Sequence, residues 1–301
     1  MSGQRERIAA IDVGSNTVLL TVAEYDPETG LVIIDESEDQ PRLGAGLSST
    51  GQLSGEAIRR ALEALTAMRD ACRRHGVTRI AAVATAAVRE AGNGAEFVEQ
   101  ARALDIPLRI ISPETEAALS YRSAAHHFPG GEGQLVADIG GGSLELIGAS
   151  HGRVKLSQSL PLGAVRLTEL GLPLDKLRDH IRRGLSGPIQ LAEWAGSTVI
   201  GSGGTFASLA SMALARRGSA SDSVHGVTVT TAEVQQLVLW LARLPPEQRR
   251  EVSGLRPERA DIIVAGLAVA LQLLEGVEVD RVTVSGFGLR DGLLLEMVGL
   301  V

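Results

Sequence analysis

Three glycine-bearing turns in this chain carry the residue types needed to hold a phosphate. The first reads Asp12-Val13-Gly14-Ser15-Asn16-Thr17, the second Asp138-Ile139-Gly140-Gly141-Gly142-Ser143, and the third Gly201-Ser202-Gly203-Gly204-Thr205. Glycine lets backbone N–H groups approach an anionic oxygen without an intervening Cβ. Ser15, Asn16 and Thr17 add side-chain donors to the first turn, and Ser143 adds one to the second. A single turn of this kind is more often only a tight hairpin. Here two occupy corresponding positions, and the third opens a helix, whose N-terminal N–H groups attract anions. Together they indicate a phosphate site.

The first two turns correspond because the chain repeats itself. Residues 11–22 read IDVGSNTVLLTV and residues 136–148 read VADIGGGSLELIG. Aligned on Asp12 and Asp138, both run apolar-Asp-apolar-Gly, then small or polar residues, then alternating apolar positions. A period of two is the mark of a half-buried strand, and a glycine turn between two such strands makes a hairpin. Third strands are expected at 31–37 and 154–159. In the first half, Ile58, Ala61, Leu62, Leu65, Met68 and Cys72 recur at helical spacing, giving a core-facing helix over 53–75 with Ser54 as its cap. Strands at 80–85 and 108–111 flank a helix near 95–103. Ser112-Pro113-Glu114 opens another helix with a capping serine, a proline and first-turn carboxylates. The second half predicts helices near 173–195, 205–216, 232–244 and 257–274, a strand at 282–285 and a last helix at 289–298. Such alternation argues for α/β domains. The run Gly130-Gly131-Glu132-Gly133 places the expected boundary between domains at 1–129 and 130–301.

Composition removes several classes of function. The chain has 301 residues with a formal net charge of −7, and about 100–200 residues per domain makes two domains the default. Only Lys155 and Lys176 among the 29 basic residues are lysine, no basic run exceeds two residues, and aromatic residues are 3%. A nucleic-acid partner needs a basic patch and stacking platforms, so none is expected. Cys72 is the single cysteine, which excludes an internal disulfide and fits a reducing compartment. No apolar run approaches the roughly 18 residues of a membrane span, and MSGQRERIAAID lacks an apolar leader core. A cytoplasmic protein is expected. The six histidines never fall at zinc-site spacing. Cys72, Trp194 and Trp240 read as packing residues, and His126-His127 as a surface pair.

The combination of segments resembles the Ppx/GppA family of exopolyphosphatases and guanosine pentaphosphate phosphohydrolases, within the actin-like superfamily. It is carried nearly end to end by IDVGSNTVLLTV (11–22), ATAAVREAGNG (84–94), IISPETEAALSY (110–121), VADIGGGSLELIG (136–148), LPLGAVRLTEL (160–170), GSGGT (201–205) and SGFGLRDGLLLEM (285–297). The resemblance implies two duplicated actin-like (ribonuclease H-like) α/β domains with a cleft between them, the last helix, about 289–300, crossing back to the first domain. It implies that Glu116 polarises the attacking water. It makes Asp138 and Glu145 ligands of Mg²⁺, or Mn²⁺, with Asp12 assisting, and Arg89 a phosphate contact. Ser15, Asn16, Thr17, Gly141, Gly142, Ser143, Gly203, Gly204 and Thr205 supply the remaining phosphate contacts. Arg166 and Arg290 lie in family segments without an assigned role. The family helix commonly carries a carboxylate and an arginine where this chain has Thr115 and Ala118. Larger members carry further helical domains along the polyphosphate path, so processive handling of long chains is not expected here.

The leading reading is therefore Mg²⁺-dependent removal of the terminal phosphoryl group of inorganic polyphosphate. A guanosine pentaphosphate (pppGpp) 5′-phosphohydrolase is the alternative. An actin-like kinase and a non-catalytic polyphosphate or nucleotide sensor stand further off. Polyphosphate, pppGpp or another nucleotide would be the partner, without membrane, and family members often form homodimers.

Overall fold

Alternating apolar residues build two sheets, and helical stripes cover them. The computed structural model describes residues 5–130, 133–186, 190–219, 221 and 223–300. Of the glycine linker, Gly131 and Glu132 lie outside these, as do 187–189 within the expected helix 173–195. In chain order the elements are β1 (Glu6–Val13), β2 (Val18–Asp26), β3 (Gly30–Asp39), α1 (Leu47–Thr50), α2 (Gly55–Arg74), β4 (Arg79–Ala84), α3 (Ala86–Glu90), α4 (Gly94–Arg102), β5 (Leu108–Ile110), α5 (Pro113–His127), β6 (Gln134–Ile139), β7 (Leu144–Ser150), β8 (Arg153–Leu160), α6 (Ala164–Glu169), α7 (Leu174–Ser186), β9 (Thr198–Ser202), α8 (Gly203–Arg216), β10 (Thr228–Thr230), α9 (Thr231–Arg243), α10 (Pro246–Arg249), α11 (Ile263–Gly276), β11 (Arg281–Val284) and α12 (Leu289–Met297). Single 3₁₀ turns lie at Leu191–Trp194 and Pro257–Arg259. The chain forms two compact units, Met1–Ser123 with Leu289–Val301, and Ala124–Gly288.

The first unit holds a sheet of order β3-β2-β1-β4-β5. β1, β2 and β3 run antiparallel, while β4 lies parallel to β1 and β5 parallel to β4. Successive side chains of a strand face opposite ways. Ala9, Ile11 and Val13 accordingly pack under α2 and α4 with Leu65, Met68 and Phe97. Ile8, Ala10 and Val83 pack on the other side with Leu119 of α5 and Leu289, Leu293 and Leu294 of α12. Arg290 anchors α12 by donating to the Leu20 carbonyl (2.8 Å) and to Thr21 Oγ1 (2.6 Å). Ser54 caps α2, accepting from the Ala57 N–H at 3.2 Å. Cys72 is a core thiol, pushed up to about 11 by burial.

The second unit repeats the plan. Its sheet runs β10-β11-β9-β6-β7-β8. Leaving aside the short β10, the order β8-β7-β6-β9-β11 reproduces that of the first sheet. Leu135, Ala137, Ile139, Leu144 and Leu146 face the main core with α7, α8, α9 and α11. Apart from Gln272 and the exposed Glu275, α11 is apolar on every side, and most of its length is buried, as expected of a helix inside a core. No helix among the described residues is long and apolar enough to cross a membrane.

Two expectations change. The helix expected over 257–274 begins only at Ile263, because Pro257 starts a separate 3₁₀ turn. Trp240 is not a packing residue: Val234, Leu237, Val238 and Leu241 take the inner face of α9, and Trp240 stays 42% exposed with the Arg216 guanidinium 5.8 Å over its ring. Trp194 does pack, filling the space over Gly148.

Candidate active site

In the first unit, β1 delivers Asp12 and then turns through Gly14–Thr17, closed by the Gly14 N–H donating to the Thr17 carbonyl at 2.9 Å. The segment after β3 straps this turn. Arg42 N–H donates to the Asn16 carbonyl (3.1 Å) and Gly44 N–H to the Ser15 carbonyl (2.7 Å). A planar trans peptide points its C=O and its following N–H in opposite directions. Binding the carbonyls of Ser15 and Asn16 to the strap therefore turns the N–H groups of Asn16 and Thr17 the other way. The strap must lie close: a Cβ at Gly44 would sit 2.9 Å from Ser15 Cβ. Ser15, Asn16 and Thr17 are buried, and Asn16 Nδ2 has no hydrogen-bond partner. A buried, unspent amide donor beside such N–H groups suits an anionic oxygen.

Arg89 and Glu116 meet in the same unit. Arg89 stands on α3, which follows β4, and Glu116 in the first turn of α5, where Ser112 Oγ accepts from the Thr115 N–H at 3.2 Å. Arg89 Nη1 donates to Glu116 Oε2 (3.0 Å) and to the Ile111 carbonyl (2.9 Å). Glu116 is only 6% exposed. The neighbouring Glu114 differs: the Ser112 hydroxyl holds its carboxyl below the usual range, as at an ordinary helix start. Of the two first-turn carboxylates, Glu116 is the one gripped by a guanidinium.

The second unit repeats the strapped turn with α6 in the strap's place. Ala164 N–H donates to the Gly140 carbonyl (2.9 Å), Val165 N–H to that of Gly141 (2.9 Å), and Arg166 Nε to that of Gly142 (2.9 Å). By the same peptide geometry the N–H groups of Gly141, Gly142 and Ser143 point away from α6. Gly163 makes the approach feasible, since a Cβ there would run into the Gly141 and Gly142 backbone. Arg166 thus shapes the turn through a carbonyl.

Register places the carboxylates. Asp138 on β6 lies opposite Glu145 on β7, and on its other side is level with Ser202 on β9. Residues level on neighbouring strands share a face, so Glu145, Asp138 and Ser202 form one row, opposite the face that packs on the main core. Glu145 is 2% exposed, and its Oε1 accepts from Ser159 Oγ at 2.9 Å. The Asp138 carboxylate occupies the space over Gly203, whose φ of +83° suits glycine. Among the described residues no three His, Cys, Asp or Glu side chains converge on a metal position. Asp138 and Glu145 nevertheless offer two hard oxygen donors on one face, which suits Mg²⁺ when water and phosphate complete its shell.

The third turn opens α8. The side chain of Thr205 packs against Gly266 of α11, and the N–H groups at a helix start attract anions. Two residues outside the expected set stand here. Arg259 occupies the space over Gly204; its position on a 3₁₀ turn, rather than inside a helix, hid it. Ser202 joins the carboxylate row only through the β6–β9 register. Asp12, by contrast, is level with Leu19 on β2 and Val83 on β4. In the second unit His127 stacks on Phe287 at 4.0 Å, and His225 packs against both rings and against Phe128.

Two sheets of this matching order, each with a strapped glycine turn at its first hairpin, define the actin-like class of α/β protein. Residues 21–300 match the Ppx/GppA phosphatase family, and the chain belongs to that family. It is similar to the Ppx/GppA family member of Aquifex aeolicus, at 29% identity over 98% of each chain with a TM-score of 0.80. It is also similar to an exopolyphosphatase from Cytophaga hutchinsonii, at 25% identity over 98% of this chain and 99% of the other, with a TM-score of 0.91. The chain is thus a hydrolase acting on phosphoanhydrides.

Proposed function

We propose that the chain is an exopolyphosphatase that releases orthophosphate from the end of inorganic polyphosphate. The observation that carries this reading is the buried Arg89–Glu116 pair, a carboxylate held in one orientation in a chain that also presents outward-turned N–H groups for phosphate. Glu116 acts as the general base, taking a proton from the water that attacks the terminal phosphorus. The new P–O bond forms as the bridging P–O bond breaks, and the shortened chain leaves with the electron pair. Arg89, the N–H groups of the three turns and Asn16 Nδ2 hold the phosphoryl oxygens. Asp138 and Glu145 would hold a divalent cation, Mg²⁺ by their oxygen chemistry, whose contribution when bound is to neutralise charge on those oxygens. Asp12 stands between apolar neighbours and would act at most through water.

The test is phosphate release from polyphosphate with and without Mg²⁺, comparing the wild type with Glu116→Gln. Mg²⁺-dependent release that the variant loses supports the reading, and no release from the wild type overturns it. One feature favours pppGpp as substrate instead: Phe287, in its ring cluster, lies one residue from Gly288, beside the Asp138 carboxylate. Release from pppGpp alone, lowered by Phe287→Ala, would select that reading.

A further inference from the structure

We infer that the Ser202 hydroxyl is a third oxygen ligand of the divalent cation that Asp138 and Glu145 hold; the inference rests on that cation site. Ser202 occupies the N-cap position of the 14-residue helix α8, where serine is among the preferred residues. It does not do the work of a cap: its side chain makes no cap hydrogen bond. Ser54 and Thr230, at the starts of α2 and α9, both do. The hydroxyl is not spent elsewhere either. Ser202 is 2% exposed, and its Oγ is buried without a hydrogen-bond partner.

Among the buried hydroxyls described, Ser123 Oγ on α5 also lacks a partner, but other hydroxyls inside helices find one. Thr66, Thr168 and Ser208 each donate to the carbonyl four residues back. Ser202 sits level with Asp138 and shares its sheet face. Both side chains border Gly288, the Asp138 Oδ2 and Ser202 Cβ lying 3.6 and 3.9 Å from where a Cβ would stand. An unspent buried oxygen in line with two carboxylates is a hard donor, of the kind Mg²⁺ selects. With its hydroxyl engaged by the cation, the serine leaves the first N–H groups of α8 to phosphate.

The experiment titrates the full-length chain with Mn²⁺, following free Mn²⁺ by electron paramagnetic resonance, and records melting temperatures with and without Mg²⁺. Ser202→Ala, Ser202→Cys and Asp138→Asn are compared with the wild type. An unmet buried hydroxyl weakens the metal-free fold, so Ser202→Ala melts at or above the wild type without metal. It binds Mn²⁺ about tenfold or more weakly, the scale of a lost supporting ligand, and loses most of the rise in melting temperature with Mg²⁺. Ser202→Cys shifts the preference from Mg²⁺ toward the softer Cd²⁺. Unchanged Mn²⁺ affinity in Ser202→Ala, with Asp138→Asn impaired, overturns the inference and leaves the cation site standing. Unchanged Mn²⁺ affinity with weaker tripolyphosphate binding makes the hydroxyl a phosphate contact, which also overturns it. A wild type that binds no Mn²⁺ overturns the site and the inference together.

Discussion

The two sheets share one strand order, yet the rows at their first turns are chemically opposite. In the first unit Asp12 stands between Leu19 and Val83; in the second, Asp138 stands between Glu145 and Ser202. Register makes these positions equivalent. One copy has kept an aspartate among apolar neighbours, and the other has surrounded it with oxygen. The charged groups that set the first unit apart lie elsewhere, on α3 and α5, as the Arg89–Glu116 pair. On the proposed function, a repeated module is divided between proton transfer in one copy and cation binding in the other, while both have a strapped glycine turn.

The largest expected effect breaks the first copy's share. Glu116→Gln keeps the shape and removes the proposed base, so kcat should fall by about 10²- to 10⁴-fold while Mn²⁺ affinity stays near that of the wild type. Equal loss of both would mean that the division of labour is wrong. Next comes the contrast between equivalent aspartates. Asp138→Asn removes a proposed ligand and should weaken Mn²⁺ binding by about a hundredfold, the upper end of supporting-residue effects. Asp12→Asn, flanked by Leu19 and Val83, should change it less than about threefold by the same scale. Equal losses at both positions would return Asp12 to the cation.

Much of this plan was legible in the sequence. The aligned turns at Asp12 and Asp138, the GSGGT turn and the Ser54 cap are local patterns, and they fold where local patterning places them. The actin-like arrangement followed from the repeat and the family segments. What stayed hidden depends on residues far apart in the chain. Ser202 joins Asp138 only through a register between strands some sixty residues apart. Arg259 reaches Gly204 from a 3₁₀ turn that an uninterrupted helical pattern concealed. The five-residue helix α3, which carries Arg89, is too short for a periodic signal. Trp240 looked like core because its helix is amphipathic, but its position lies on the outer face.

The straps give the next contrast. A methyl group at Gly163 would meet main-chain atoms of Gly141 and Gly142, which cannot move without reshaping the turn. At Gly44 the nearest atom would be Ser15 Cβ, at 2.9 Å. Both alanine variants should be destabilised by about 1–3 kcal/mol, the usual range for overpacking, with Gly163→Ala the greater. Chemical denaturation orders the two, and the reverse order would show that the first turn is held the more rigidly.

The smallest effect separates a hydroxyl that caps from one that does not. Thr230 Oγ1 accepts from the Glu233 N–H at 3.2 Å, and Glu233 Oε2 accepts from the Thr230 N–H at 2.8 Å, a reciprocal box at the start of α9. Thr230→Ala should cost about 1 kcal/mol, whereas Ser202→Ala in metal-free buffer should cost nothing. The box also fixes the pH dependence. Partial burial pulls the Glu233 carboxyl upward, but the Thr230 N–H, the Arg217 guanidinium and the Thr230 hydroxyl outweigh it and hold the group below its ordinary 4.5. A carboxylate lowered in the folded state stabilises the fold above its unfolded value and loses that contribution as pH falls through the folded one. Melting curves should therefore show the gap between the wild type and Thr230→Ala fully open near neutrality and narrowing below about pH 4.5, where Glu233 protonates and the bond that its Oε2 accepts from the Thr230 hydroxyl weakens. A gap that stays constant to pH 3 would mean that Thr230 acts through its own cap bond alone, without Glu233.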